Sequence, residues 1–166
     1  MQARARIGAT LFGIGLVSAG LAGCAADASS VSSCEPSDGA EVCAVFRLVN
    51  EARAAEGLAP YTYDRALALA AQLHAEDMVA QGYFSHDSLD GRSFADRARE
   101  AGYDASPRGE NIASGQRTAE QVMQSWMGSS GHRANILSTR SNEIGVGLHD
   151  NRWVQVFGQR AVITGG

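Results

Sequence analysis

The chain contains no lysine: all fourteen of its basic residues are arginine. Schiff-base chemistry and lysine-activated mechanisms are thereby excluded. Positive charge is also in deficit, with 14 basic residues against 18 acidic ones and a formal net charge of −4, so the charge balance lends no support to a nucleic-acid partner. No apolar run approaches the roughly 20 residues that a spanning helix needs. The longest, Leu11 to Ala22, covers about a dozen and follows Arg4 and Arg6, which is the charged and apolar order of a secretory signal. Cysteine is limited to three. No serine sits in a Gly-x-Ser-x-Gly elbow, and no fingerprint for a nucleotide or redox cofactor is present.

The apolar run closes with Leu21-Ala22-Gly23-Cys24, which resembles the lipobox of bacterial lipoprotein signals, where cleavage precedes a cysteine that receives lipid. On this reading residues 1–23 are removed, and the mature chain begins at Cys24, anchored to a membrane by lipid rather than spanning it. An ordinary secretory signal cut nearby is the alternative. Either route places the protein outside the cytoplasm, lipid-anchored or secreted. Loss of the two leader arginines takes the formal charge from −4 to −6. With Cys24 lipidated, Cys34 and Cys43 are an even pair in an oxidising compartment, and a disulfide between them is expected. Closing that loop of about ten residues contributes roughly 2 to 3 kcal/mol. Residues 24–40, rich in Ala, Ser, Asp and Gly, read as a flexible tether, and residues 41–166 have the size of one compact domain.

Within that domain Gly57, Gly82, Gly102 and Gly128 each stop a stretch of good helix formers, which predicts four helices with left-handed glycine ends. The first spans about Glu41 to Glu56 and buries Val42, Val45, Phe46 and Val49 at three- and four-residue steps. Asp64 is the expected cap of the second, which buries Leu67, Ala71, His74 and Met78. Ser93 with Asp96, and Thr118 with Gln121, have capping-box spacing for the third and fourth. Further on the period changes to two at Ile144, Val146 and Leu148. Asp150-Asn151 then reads as a hairpin turn into a strand that is apolar on both faces, with Val154 and Val156 on one side and Trp153 and Phe157 on the other. Such a strand lies centrally between layers. The fold class that follows is α+β, helices on both faces of a small, mainly antiparallel sheet.

Three short segments carry the chemistry: Phe84-Ser85-His86, Gly109-Glu110-Asn111 and Gly131-His132-Arg133-Ala134-Asn135-Ile136-Leu137. Two imidazoles and a carboxylate, each expected in a loop after a helix, are the minimum parts of a polar cleft that holds a metal or moves a proton. With Val49-Asn50-Glu51-Ala52-Arg53, Gly57-Leu58, His74-Ala75-Glu76-Asp77-Met78, Ile144-Gly145-Val146-Gly147 and Val156-Phe157-Gly158, they resemble the bacterial branch of the CAP superfamily (cysteine-rich secretory proteins, antigen 5 and pathogenesis-related proteins). The resemblance covers nearly all of the chain beyond its leader and implies a three-layer α-β-α sandwich.

It also implies that His86 and His132 are the two cavity histidines and Glu110 the acid between them. Many eukaryotic members carry a second glutamate after the tryptophan, where this chain has Ser129 following Trp126-Met127-Gly128, so a tetrad becomes a triad. A catalytic zinc usually has three protein ligands and one open position. Here His86 and His132 supply two, and Glu110 is either a third ligand or a general base on bound water, not both at once. The alternative is that His86, Glu110 and His132 form a hydrogen-bonded knot that ties loops to the sandwich. Asn111 and Asn135 read as loop-bracing amides, Arg133 as an acid's partner or a rim residue, His74 as a core histidine, and His149 as exposed. Ser85, Ser129 and Ser130 neighbour the histidines in sequence only. The expected function is ligand binding in the His/Glu cleft of a cell-envelope protein, the ligand being a lipid, a sterol-like molecule, a wall fragment or a divalent metal such as zinc. Metal-assisted hydrolysis of peptide or peptidoglycan bonds and a non-catalytic interaction module are the alternatives.

Overall fold

The computed structural model describes residues 33–161, so the signal and Cys24 lie outside the described residues. The expected tether is ordered at its end. Pro36–Asp38 form a short 3-10 turn, and Cys34 is disulfide-bonded to Cys43 with their Cα atoms 5.4 Å apart. The bond fastens the chain's entry to helix α1, Ala40–Ala55.

After α1 come β1 (Thr62–Tyr63), α2 (Arg65–Ala80), α3 (Phe94–Glu100), β2 (Ser106–Ser114), α4 (Ala119–Gly128), α5 (Ser130–Ile136), β3 (Glu143–His149) and β4 (Arg152–Gln159). The strands form one sheet in the order β1-β3-β4-β2, antiparallel except for the β1–β3 pair. β4 is central, as its two apolar faces require. Val154 and Val156 join Leu67, Ala71 and Met78 of α2 and Ala98 of α3 in one core, while Trp153 and Phe157 join Val45, Val49, Val122, Trp126 and Ile136 in the other. Phe46 is only half-buried against that second core.

Three of the four glycine stops hold. Gly57, Gly82 and Gly102 have φ of +70°, +69° and +92°. Gly128 is different: α4 runs through it, and after a single extended residue, Ser129 (φ −103°, ψ 123°), α5 begins. There are therefore five helices among the described residues, and His132 lies on the fifth rather than in a loop. Glu110 likewise lies in a strand, β2. Asp64 and Ser93 cap their helices as expected. Thr118 accepts from the Gln121 amide, but the Gln121 side chain accepts from Arg117 N at 2.9 Å, one residue before the position that a capping box requires. At the hairpin Asp150 and Asn151 have φ of +41° and +59°, the left-handed pair of a type I′ turn.

Three residues, Gly145, Gly147 and Arg53, set the placement of two elements. Gly145 and Gly147 face α2 from β3, and a Cβ on either would run into the α2 backbone at Leu67–Ala68 or Ala71–Gln72. Only hydrogen there lets helix and sheet approach so closely. Arg53, 3% exposed, reaches from α1 to donate to the carbonyls of Ile136 and Ser138 at the end of α5, both at 2.9 Å, and stacks 3.6 Å over the Tyr61 ring. It satisfies helix-end carbonyls that have no partner within the helix and fixes α5, hence His132, against the sandwich.

Candidate functional site

β2 is the edge strand opposite β1, and alternation along it sends neighbouring side chains to opposite faces of the sheet. Glu110 points towards α3 and Asn111 towards α5, so two adjacent residues of the Gly109-Glu110-Asn111 segment serve two layers. Gly109 completes the arrangement: a Cβ there would lie 3.2 Å from Asn135 Oδ1, tighter than Asn135 tolerates without yielding.

On the α3 side the Glu110 side chain is buried to 1% exposure and both of its oxygens are engaged. Oε1 accepts from His86 Nδ1 at 2.8 Å, and Oε2 accepts from Arg97 Nη2 at 2.7 Å. Arg97 is itself buried. Its two terminal nitrogens also donate to the carbonyl of His86, the carbonyl of Arg92 and Ser88 Oγ, at 2.9, 2.9 and 3.1 Å. One guanidinium thus neutralises the carboxylate and holds both ends of the 86–92 loop. The His86 ring remains half-exposed, with side-chain exposure of 53%. Because Nδ1 donates to the carboxylate, Nε2 is the nitrogen presented outward. The Glu110 hydrogen bond raises the His86 pKa above the ordinary imidazole value against the opposing effect of burial.

On the α5 side the links are neutral. Asn111 Nδ2 donates to the His132 carbonyl at 3.1 Å and to Gln155 Oε1 at 3.0 Å, and Asn135 Nδ2 donates to Asn111 Oδ1 and the Glu110 carbonyl at 2.9 and 3.2 Å. These amides brace a helix to a strand rather than a loop. The His132 ring makes no hydrogen bond to any described residue. Burial lowers its pKa, and a charge on nearby His86 lowers it further.

The structure therefore joins His86 to Glu110 directly and brings His132 within electrostatic reach, without a three-way hydrogen-bonded knot. Sequence reasoning missed Arg97 and Gln155. Gln155 had a signal, a lone amide at the strand position between Trp153 and Phe157 on an otherwise apolar face, and it is fully buried. Arg97 had none that separates it from Arg99 on the same helix. Arg133 pairs with Glu56 at 2.9 Å on the surface, His149 is exposed, and His74 is fully buried. Ser85 Oγ accepts from Asp87 N rather than meeting a histidine. Ser129 makes no side-chain cap at α5 and offers no acid to replace the missing glutamate.

For a metal, the donor set fits in part. A carboxylate behind the far nitrogen of an imidazole is the usual means of orienting a ligating histidine, and His86 with Glu110 has that form. Glu110 does not fit as a third ligand, since ligation would cost it Arg97 or His86. Among the described residues the one triple of His, Cys, Asp or Glu donors within 4.8 Å of one another is Cys34, Asp38 and Cys43, whose sulfurs are bonded to each other.

The cysteine-rich secretory protein (CAP) family pattern matches residues 46–157, from α1 to the middle of β4. The uncharacterized protein YkwD of Bacillus subtilis (strain 168) is 39% identical over 115 residues, 68% of this chain and 45% of that protein, so the chain spans less than half the length of this relative. Among solved structures, an extracellular protein containing a SCP domain from Bacillus anthracis superposes with a TM-score of 0.68 at 33% identity, over 70% of this chain and 39% of that one. An outer surface protein of Borrelia burgdorferi superposes with a TM-score of 0.62 at 25% identity, over 70% and 90%. In sequence pattern and in fold alike, the chain belongs to the CAP family.

Proposed function

We propose that this CAP-domain protein acts outside the cytoplasm as a binding protein, and that the cleft between His86 and His132 takes a divalent metal through its two imidazoles. The observation that carries this reading is the half-exposed His86 ring, held at Nδ1 by a buried carboxylate that Arg97 neutralises. A side chain kept in one tautomer with its free nitrogen turned to solvent is organised to receive something. His132, kept neutral by burial, suits the second ligand, since only an unprotonated imidazole binds a metal.

The Cys34–Cys43 disulfide supports an oxidising compartment, and the two structural relatives, an extracellular protein and an outer surface protein, point the same way. Anchoring through lipid on Cys24 is part of the proposal, motivated by the Leu21-Ala22-Gly23-Cys24 sequence. Intact mass of the membrane-extracted protein checks it, and a mature chain that begins elsewhere without lipid would sink it.

Hydrolysis is the weaker reading. A general base must offer a free lone pair to a bound water, and both Glu110 oxygens already accept charge-assisted bonds in a buried position. The expected result of zinc titration by calorimetry on the full chain is stoichiometric binding that the His86→Ala/His132→Ala double variant abolishes. Absence of zinc binding in the wild type removes the metal and leaves the cleft to wall fragments or lipids. Peptide or peptidoglycan hydrolysis abolished by Glu110→Gln in a variant that still binds zinc would restore the hydrolase.

A further inference from the structure

Most of the protein's guanidinium groups are already committed. Arg92, Arg97, Arg133 and Arg160 are paired with acids, and Arg53 with carbonyls. Arg108 and Arg140 are not: their exposed side chains have neither an ion pair nor a hydrogen bond among the described residues. Both line a single cavity of about 240 Å³, where the start of β2 meets the end of α5 and the turn into β3. No acidic residue is in its lining, although the chain as a whole carries a net charge of −4. Two like charges on one small cavity, with no acid beside them, favour an anion between them.

The backbone that carries each arginine is built for the purpose. β2 pairs Pro107 with Gly158 and Gly109 with Phe157, so Arg108 is the extra residue of a β-bulge and has no partner across the ladder. A bulge at a sheet edge re-aims a side chain that regular alternation would send elsewhere. Arg140 lies on the segment from Ser138 to Asn142, which is fastened at both ends. The Ser138 carbonyl accepts from the buried Arg53 at 2.9 Å and from Tyr61 Oη at 3.1 Å, and Asn142 N donates to the Gly158 carbonyl at 2.9 Å. Holding a turn in place before a ligand arrives lowers the ordering cost of binding.

The remaining lining narrows the ligand. Ser138 Oγ accepts from Arg140 N at 3.1 Å, and its own O–H has no acceptor among the described residues, so it is a third donor beside the two guanidinium groups. Asn135 adds none, because its Nδ2 is spent on Asn111 Oδ1 and the Glu110 carbonyl. Pro107, Ala134 and Phe157 supply apolar walls. The volume lies below the roughly 300 to 1,000 Å³ of drug-sized ligand sites and suits a small ion or head group. A single carboxylate would neutralise one guanidinium and leave the other, whereas a phosphate dianion offers a pair of oxygens to each.

We infer that this cavity is an anion site, for a phosphate dianion, free or as a monoester, held by Arg108 and Arg140 with the Ser138 hydroxyl. It does not depend on metal binding, since His86, Glu110 and His132 are not in its lining.

The test titrates the full chain with inorganic phosphate, methyl phosphate and acetate in a low-salt buffer at about pH 8, well above the second phosphomonoester pKa near 6, reading heat and the arginine side-chain 15Nε resonances. Phosphate is expected to saturate one site, to move the Arg108 and Arg140 resonances together, and to bind about tenfold or more tightly than acetate. Arg108→Gln and Arg140→Gln should each weaken it about tenfold or more. Neither side chain makes a contact that folding needs, so the thermal midpoints should stay at the wild-type value. Arg117→Gln, which removes an exposed arginine outside the cavity, should leave binding unchanged. Absence of saturable phosphate binding, acetate that binds as tightly, or an equal loss in Arg117→Gln overturns the proposal. Methyl phosphate separates the two sources of the dianion: binding as tight as phosphate or tighter assigns a monoester, and weaker binding the free ion.

Discussion

On its α3 side the candidate site rests on charge, a buried carboxylate held between an imidazole and a guanidinium. On its α5 side it rests on neutral amides, Asn111, Asn135 and Gln155 in a chain. The α3 side grips the ring of His86 itself and fixes its tautomer. The α5 side grips the backbone of His132 and leaves its ring to the local environment. One half of the site therefore sets the direction and protonation of a nitrogen, and the other sets the position of a helix. The two halves meet at β2, where Glu110 and Asn111 are neighbours in sequence and back to back in space.

If the halves differ in this way, breaking them should cost different amounts. Arg97→Met leaves Glu110 buried with its charge uncompensated, and such a loss typically costs about 3 to 5 kcal/mol. Arg97→Met with Glu110→Met should recover most of that loss, since a well-packed apolar pair often does as well as a buried ion pair. Asn111→Ala strands neutral groups only, the Gln155 and His132 oxygens and the Asn135 amide, and should cost about 1 to 3 kcal/mol. Urea denaturation of the single and double variants measures both. Equal losses at Arg97 and Asn111, with no recovery in the double variant, would mean that packing rather than charge holds the α3 side.

What the sequence made legible follows the same division between local and long-range causes. Helix ends were readable at Gly57, Gly82, Gly102, Asp64 and Ser93 because a left-handed glycine or a side-chain cap acts within a few residues. The hairpin at Asp150-Asn151 was readable for the same reason. β2 was not, because Ser106–Ser114 contains proline, glycine, asparagine and an acid and has no apolar period. It is a strand because β4 pairs with it along its length. Its Pro107 is tolerated at a sheet edge, next to the register shift between Pro107 and Gly109. β1 is two residues long and exists only through its parallel partner. Gly128 read as a stop because the sequence does not say that a new helix begins two residues on. In the site, His86 and Glu110 were readable as chemistry and through the family resemblance. The partner that decides what Glu110 can do, Arg97, was not, since burial of one arginine on a short helix is settled by what packs against it.

The smallest effect is the sharpest probe of the two halves, because it concerns protons alone. The Glu110 hydrogen bond raises the His86 pKa and burial lowers that of His132, so the two rings should titrate on opposite sides of the ordinary value near 6.5. Between their midpoints one of the two imidazoles, His86, is charged and the other, His132, is neutral. The stability effects have opposite signs. The His86 contribution is full below the unfolded value and fades as pH rises through its raised folded midpoint. His132 binds its proton more weakly when folded, so its contribution is full above the unfolded value and fades as pH falls through its lowered midpoint. Ring-proton chemical shifts against pH measure both midpoints. Glu110→Gln removes the carboxylate from His86 and should bring its midpoint down. His132 should not follow it down, and should rise slightly as the field of a protonated His86 withdraws. If both midpoints instead coincide near 6.5 in the wild type, the charged network does not reach the exposed ring, and the two halves differ in how they hold the fold but not in what they present to a ligand.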